Sequence, residues 1–467
     1  MTDTTTSPAS APPPLAFHGG TVGALAPFVL FLAGVAVLAL AGAPDEKGFW
    51  PVLLAALTLG LLLARDRTRY AEAMLDGMSQ RMVMVMVSAW LLAGVLGAVL
   101  GAAGFVDALA WGARRLALTG GAYAASAFVA CVVVSMATGT SFGTILLCGP
   151  LLYPAGGAAG AHPGALMGAI LAGATVGDSL SPVSDTTIAS AGTQGVDIGG
   201  TVRNRLRYAA PAALLALAVA VWLGGRGTLT TTAALPLPAA KPAAFLLLLA
   251  PSLTIGLLLA RRHLLEALLL GNLAAVLLAV ATGLVTPGAL LHVAPGSLGA
   301  TGIVLEGMQR AVGVTVFTLL LVALVGTVQA TDLLERMVTW AEGRARTPRA
   351  ASAWIVAVVS GAVLLTTHSV VAILATGEFA RRTGARCGIH GYQRANLLDL
   401  TACTWPFVLP YFLPTILAAG ATQGGAAHGM PVLSAWEVGR HNGYAWALAA
   451  VLAWMVARAG RGDSGEG

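Results

Sequence analysis

The run Gly177-Asp178-Ser179-Leu180-Ser181-Pro182-Val183-Ser184-Asp185-Thr186-Thr187 places two carboxylates, five hydroxyls and a proline within eleven residues. The carboxylates and hydroxyls are oxygen ligands of the kind that small hard cations prefer to nitrogen or sulfur. On an unbroken helix Asp178 and Asp185, seven residues apart, would share a face about 10.5 Å apart along the axis. Pro182 interrupts such a helix, because it donates no hydrogen bond and its ring presses on the carbonyl four residues back, that of Asp178. The expectation is a broken helix that binds Na⁺ at Asp178 and Asp185. The hydroxyls of Ser179, Ser181, Ser184, Thr186 and Thr187 and the freed Asp178 carbonyl stand nearby. A carboxylate withdrawn from water also takes up a proton more readily, so Na⁺ and H⁺ would compete for the same groups.

A related run follows later in the chain. Pro406, Pro410 and Pro414 recur every four residues and would free the carbonyls of Ala402, Pro406 and Pro410 along one side, with Asp399, Thr401 and Thr404 just before them. Arg394 is close enough in sequence to pair with Asp399 instead. Gly139-Thr140-Ser141-Phe142-Gly143 matches the G-x-S-x-G of serine hydrolases, and His368 is a candidate partner for Ser141. That motif needs a strand before its serine, however, and this chain offers helices on both sides. No enzyme activity is expected. Glu378, close to Arg381 and Arg382, reads as an interfacial ion pair. The methionines between 74 and 86 read as packing, and so do Cys131, Cys148, Cys387 and Cys403, whose spacing suits neither zinc nor disulfides. Gly97 and Gly101 form a GxxxG at which helices could approach closely.

The elements that carry these residues are membrane helices. Of the 467 residues, 57% are hydrophobic and only 10% are charged, and apolar stretches such as 21–43, 81–103, 208–224 and 264–281 are long enough to cross a hydrocarbon layer of roughly 30 Å. Acids at that depth are rare and usually functional. The net charge of +6 comes from arginines gathered at helix ends, a pattern that membrane topology explains without a nucleic-acid partner. The expected surroundings are lipid, and no cofactor is expected beyond the ions themselves. Residues 1–19 lack the basic start of a signal peptide and read as a disordered tail, as do residues 461–467.

The chain is also duplicated. Leu75-Asp76-Gly77-Met78 is echoed by Leu305-Glu306-Gly307-Met308, Ser141 and Gly149 by Ser369 and Gly377, and Pro182 by Pro406, with offsets drifting from 230 through 228 to 224. This gives a first repeat over 20–226, a linker over 227–239 and a second repeat over 240–460. Basic residues cluster at 65–69, 203–207, 261–262, 344–349, 381–386 and 458–461, and are absent from the loops 154–163, 287–300 and 420–435. One topology fits them if 122–153 and 351–378 are re-entrant hairpins that enter and leave on one side, with Arg114 and Arg115 the only exceptions. Their tips, Thr138-Gly139-Thr140-Ser141 and Thr366-Thr367-His368-Ser369, interrupt apolar helices with glycine and hydroxyls. Each repeat then crosses five times, and an odd number inverts the second copy. The fold expected is an all-α polytopic integral membrane protein of two inverted-topology repeats, each with a re-entrant hairpin and a broken helix, broken at Pro182 in the first and at Pro406 and Pro410 in the second. It would sit in the inner (plasma) membrane with a cytoplasmic N-terminus.

These residues resemble the NhaC-type sodium/proton antiporter family, within a superfamily of inverted-repeat ion carriers. GDSLSPVSDTT is similar to that family's G-D-x-x-S-P-x-S-D-T-T signature at every fixed position, TGTSFGT to its hairpin motif, and LLDLTACTWPFVLPY to its second broken helix. In that last run Leu398 replaces a usual glutamate, Leu400 a serine, and Tyr411-Phe412 a Trp-Asn pair. The resemblance implies Na⁺ and H⁺ as exchanged ions, alternating access through the hairpins and broken helices, and a homodimer. Because relatives of the family exchange organic acids such as malate and lactate, an organic-acid carrier of the same fold is the alternative.

Overall fold

The computed structural model describes residues 13–40, 46–226, 242–260, 262–293 and 299–460; the expected linker and C-terminal tail lie outside them. The chain is all-α and polytopic. Eight of the described helices are long and apolar enough to cross a membrane, from Gly20–Leu38 to Pro348–Thr366. In order the helices are α1 (Gly20–Leu40), α2 (Phe49–Leu63), α3 (Arg67–Met78), α4 (Arg81–Ala102), α5 (Phe105–Arg115), α6 (Gly120–Thr138), α7 (Ser141–Ala155), α8 (Pro163–Leu180), α9 (Asp185–Gln194) and α10 (Ile198–Gly224). The second half contains α11 (Leu249–Leu259), α12 (Leu264–Ala281), the single turn α13 (Pro287–Leu290), α14 (Ile303–Gln329), α15 (Leu333–Glu342), α16 (Pro348–Thr366), α17 (Ser369–Arg386), α18 (Gly391–Ala402), α19 (Leu413–Ala421), α20 (Ala435–Arg440) and α21 (Gly443–Arg458). Two short strands of two residues each, His292–Val293 and Ala300–Thr301, pair antiparallel.

Each half contains a helical hairpin, α6–α7 and α16–α17, followed by an α-helix that is interrupted, α8–α9 by extended and turn residues and α18–α19 by a stretch with a 3₁₀ turn at Trp405–Phe407. The halves interlock. α9 packs on α17 and α18, while α19 packs on α7 and α8. Single residues repeat the exchange. A Cβ on Gly377 would lie 2.5 Å from Thr193, and one on Gly149 would lie 2.8 Å from Ala421, so the glycine of each hairpin receives the interrupted helix of the other half. The same holds where α3 and α4 cross α14. A Cβ on Gly77 would lie 2.2 Å from the Val322 carbonyl and 3.1 Å from Gly326 Cα, and one on Gly94 would lie 2.3 Å from the Gly307 carbonyl. Gly77 and Gly307 are the glycines of the echoed tetrapeptides. At these crossings only glycine lets the backbones touch, and dispersion over the closely approaching chains replaces the side-chain packing that is absent.

Three local expectations are corrected. The tail ends before residue 15, because Leu15 and Phe17 are buried, the Leu15 N–H donates to Ala330 O at 2.8 Å, and Phe17 packs edge-on against Tyr70. Gly97 and Gly101 do not make the close crossing. Gly94, one turn earlier on α4, makes it, and a Cβ on Gly101 would meet nothing within 4 Å. Cys403 does more than pack, as its contact with Asp399 shows below.

Candidate functional site

The first hairpin turns at Gly139, which closes α6 in the left-handed conformation with φ 70°, and α7 restarts with Thr140 as its N-cap. A Cβ on Gly139 would lie 2.8 Å from the Val183 carbonyl, so the tip rests directly on the interruption between α8 and α9. That contact brings three sequence-predicted residues together. Asp178, half-buried at the end of α8, accepts hydrogen bonds from Ser141 Oγ at 2.7 Å and from Ser184 Oγ at 2.6 Å, one on each carboxylate oxygen. Ser184 also lies 3.1 Å from Thr186 Oγ1. Among the described residues Asp178 has no ion-pair partner.

The expected pairing of Asp178 with Asp185 is not formed. Asp185 is the exposed first residue of α9, outside the hydrogen-bond cluster around Asp178. Four non-helical residues between the two helices remove the seven-residue register that would have aligned them. Nor is the Asp178 carbonyl free, since the Ser181 N–H donates to it at 3.1 Å. The Ala402 carbonyl is likewise taken, by Ser369 Oγ at 2.8 Å. Interrupted helices commonly satisfy their released carbonyls in this way. Ser181 Oγ donates to Met136 O at 2.7 Å and so ties α6 to the interruption. Thr138, Thr366 and Thr404 bond back to carbonyls of their own helices. Among the described residues Thr401 Oγ1 is buried without a hydrogen-bond partner, as is His368 Nδ1 at the second tip, while Ser179 faces the Tyr444 hydroxyl. The second tip turns at Thr367, left-handed with φ 51°, where the first has glycine.

Asp399 pairs with neither Arg394 nor solvent. Its partner is Arg205 of α10, whose Nη2 lies 2.5 Å from Asp399 Oδ2 as a charge contact, with both side chains fully buried. Arg394 instead holds Gln194 Oε1 at 3.0 Å. The Arg205 guanidinium also donates to Asn396 Oδ1 at 3.0 Å, Ser179 O at 2.6 Å and Thr187 Oγ1 at 2.8 Å. Asp399 further accepts from Ser190 Oγ at 3.1 Å and from Cys403 Sγ at 3.2 Å. Cys403 lies 3.8 Å from Thr186 Oγ1, which completes a polar chain from Asp178 through Ser184, Thr186 and Cys403 to Asp399. Sequence reasoning missed Arg205, which stood among Arg203 and Arg207 as one of three topology-setting arginines. Helical spacing separates it from them. Arg205 occupies the buried face of α10 with Thr201, Ala209 and Ala212.

Ser141 does not have the surroundings of a hydrolase nucleophile. It follows helix α6 rather than a strand, and its proton goes to Asp178. Glu378 forms the expected surface pair, 2.8 Å from Arg381 and 2.5 Å from Arg382. In the loop before α10, the Tyr392 hydroxyl donates to Asp197 and, with the Gly200 N–H, holds that carboxyl below the usual carboxylate range.

Residues 21–224, which carry the first hairpin tip, Asp178, Asp185 and Arg205, match the model of the Na⁺/H⁺ antiporter family. The chain is 27% identical over 188 residues to the Na⁺/H⁺ antiporter NhaC of Alkalihalophilus pseudofirmus, 38% of each chain. It is 31% identical over 180 residues to the malate-2H⁺/Na⁺-lactate antiporter of Bacillus subtilis, 37% of each chain. A third match, 32% identical over 99 residues, is to the Na⁺/H⁺ antiporter NhaC of Bacillus subtilis. The aligned segments thus span well under half the length of these relatives, and the resemblance to NhaC-type antiporters is borne out.

Proposed function

From a chain whose first half carries the Na⁺/H⁺ antiporter family, we propose a secondary transporter that exchanges Na⁺ for H⁺ across the membrane by alternating access. One observation carries the reading. Asp178 is the carboxylate in this polar cluster that no cation neutralises, and it sits where a hairpin tip meets an interrupted helix. Proton and Na⁺ are alternative ways to neutralise it. With Na⁺ bound, the ionised carboxylate and the oxygens of Ser141 and Ser184 serve as hard ligands. With a proton bound, the carboxyl is neutral and the two hydroxyls need only rotate to keep their hydrogen bonds. An empty, charged Asp178 faces a high cost in low-dielectric surroundings, and that cost couples the two ions.

The test is Na⁺-dependent dissipation of a pH gradient in proteoliposomes. Asp178→Asn should abolish it while the variant remains folded, and exchange at the wild-type rate in that variant would refute the assignment. The proposal includes a cytoplasmic N-terminus and a homodimer, which cysteine labelling from each side and light scattering in detergent would check.

A second reading, a Na⁺- or H⁺-coupled carrier of an organic acid, draws support from a cavity of about 320 Å³ between α4, α7, α14 and α19. Its walls are largely apolar, including Trp90, Ile303 and Ile416, and Arg310 is the cation it offers a carboxylate; Glu306 also lines it, and His428 lies 3.9 Å from Asp107. Uptake of labelled lactate or malate, with no proton movement on adding Na⁺ alone, would favour this reading.

A further inference from the structure

We infer that Arg205 is a tethered cation that fills the second half's polar pocket, leaving one exchangeable cation site per chain and making the exchange electroneutral. The inference rests on the exchange reading above and specifies its stoichiometry.

The two halves are built alike but charged differently. In the register that aligns Pro182 with Pro406, Asp178 falls opposite Ala402, and Asp399 falls opposite Thr175. The hairpin serines follow the same logic, since Ser141 donates to the Asp178 carboxylate and Ser369 to the Ala402 carbonyl. The second interrupted helix therefore offers no carboxylate to its own hairpin tip, and the acid that acts on His368 there is Asp185, the exposed first residue of α9. The one acid of the second interrupted helix lies a turn earlier, and a guanidinium already touches it. Its charge is already met and most of its acceptor sites are taken: Oδ2 by Arg205 and Ser190, and Oδ1 by Cys403. Arg205 is fixed in turn by Asn396, Ser179 and Thr187, so three helices besides its own hold the charge in place. Arginine remains charged at any working pH, and neither a proton nor Na⁺ displaces it.

The charge count follows. Arg205 and Asp399 cancel, so the polar cluster carries the single negative charge of Asp178 when empty and none when Na⁺ or H⁺ is bound. Both loaded forms are neutral, and one Na⁺ exchanges for one H⁺.

Equilibrium binding of radiolabelled Na⁺ to the purified protein, with transport in proteoliposomes under an imposed K⁺ diffusion potential, tests this. Wild type should bind one Na⁺ per chain, with a Hill coefficient near one and a rate insensitive to the potential. Two ions per chain, or a rate that follows the potential, would overturn the inference and leave the exchange reading intact. No bound Na⁺ at all would overturn the exchange reading, and the inference with it. Arg205→Gln should expose Asp399 and raise the count to two, an effect that a merely structural arginine would not produce. If that variant fails to fold, Arg205→Gln with Asp399→Asn removes both charges and should bind one ion. A folded double variant that binds none would place the pair within the single site and overturn the assignment.

Discussion

Ser141 and Ser369 occupy the same position after the tips of the two hairpins, yet Ser141 donates to a carboxylate at 2.7 Å and Ser369 to a backbone carbonyl at 2.8 Å. Equivalent geometry thus serves a chemical role in one half and a structural one in the other. Hydrogen bonds to a charged group are worth about 1.5–3 kcal/mol. Ser141→Ala should therefore raise the half-saturating Na⁺ concentration roughly ten- to a hundredfold, by the relation of about 1.4 kcal/mol per decade. Ser369→Ala should change it far less. Na⁺ titrations of exchange in proteoliposomes would separate the two.

Asp185 lies apart from Asp178 on an exposed turn. Asp185→Asn should retain exchange at a rate within about threefold of wild type, a barrier change of under about 0.7 kcal/mol. Loss of exchange comparable to that of Asp178→Asn would mean that the two acids act as a pair.

Where Gly94 and Gly307 cross, either backbone carbonyl lies less than 3 Å from the Cβ that alanine would add to the other residue. Overpacking of this kind typically costs about 1–3 kcal/mol. Gly94→Ala and Gly307→Ala should each lower the unfolding temperature in detergent, and the double variant should lose less than the sum, because one displacement relieves both clashes. Alanine at Gly101, which meets nothing within 4 Å, is the control.

The bond from Tyr392 to Asp197 links the halves at the surface and lowers the carboxyl's pKa in the folded chain. A depressed folded pKa adds stability that is fully present above the unfolded aspartate value of about 3.9 and is lost as pH falls through the folded value. Tyr392→Phe should therefore cost stability at neutral pH, and the gap from wild type should narrow progressively as pH falls below about 4. Thermal unfolding at pH 3 and pH 7 would show whether the two curves converge.

The sequence made the architecture legible because hydropathy and glycine placement act locally. The hairpin tips, both helix interruptions and the duplicated glycines can all be read from short motifs. Asp178, Ser141 and Ser184 could be found for the same reason, since each lies within one of two short signatures. What could not be read was pairing over distance. Asp185 shares the motif but leaves the cluster, because the four residues before it abandon helical periodicity. Arg205 joins the cluster from α10 and meets an acid almost two hundred residues away, and only the folded packing distinguishes it from Arg203 and Arg207. Charge clusters at helix ends look alike in sequence whichever way their members face.

The exchange of helices between halves, α9 onto α17 and α19 onto α7, also bears on biosynthesis. When α9 leaves the ribosome its main packing surface does not yet exist. At about 5–20 residues per second, on the order of ten to forty seconds pass before α17 is made. During that interval the first half must wait with the Arg205 guanidinium unpaired, because Asp399 has yet to be made. Expressed alone it would remain unfinished, whereas the two halves co-expressed as separate chains could complete each other.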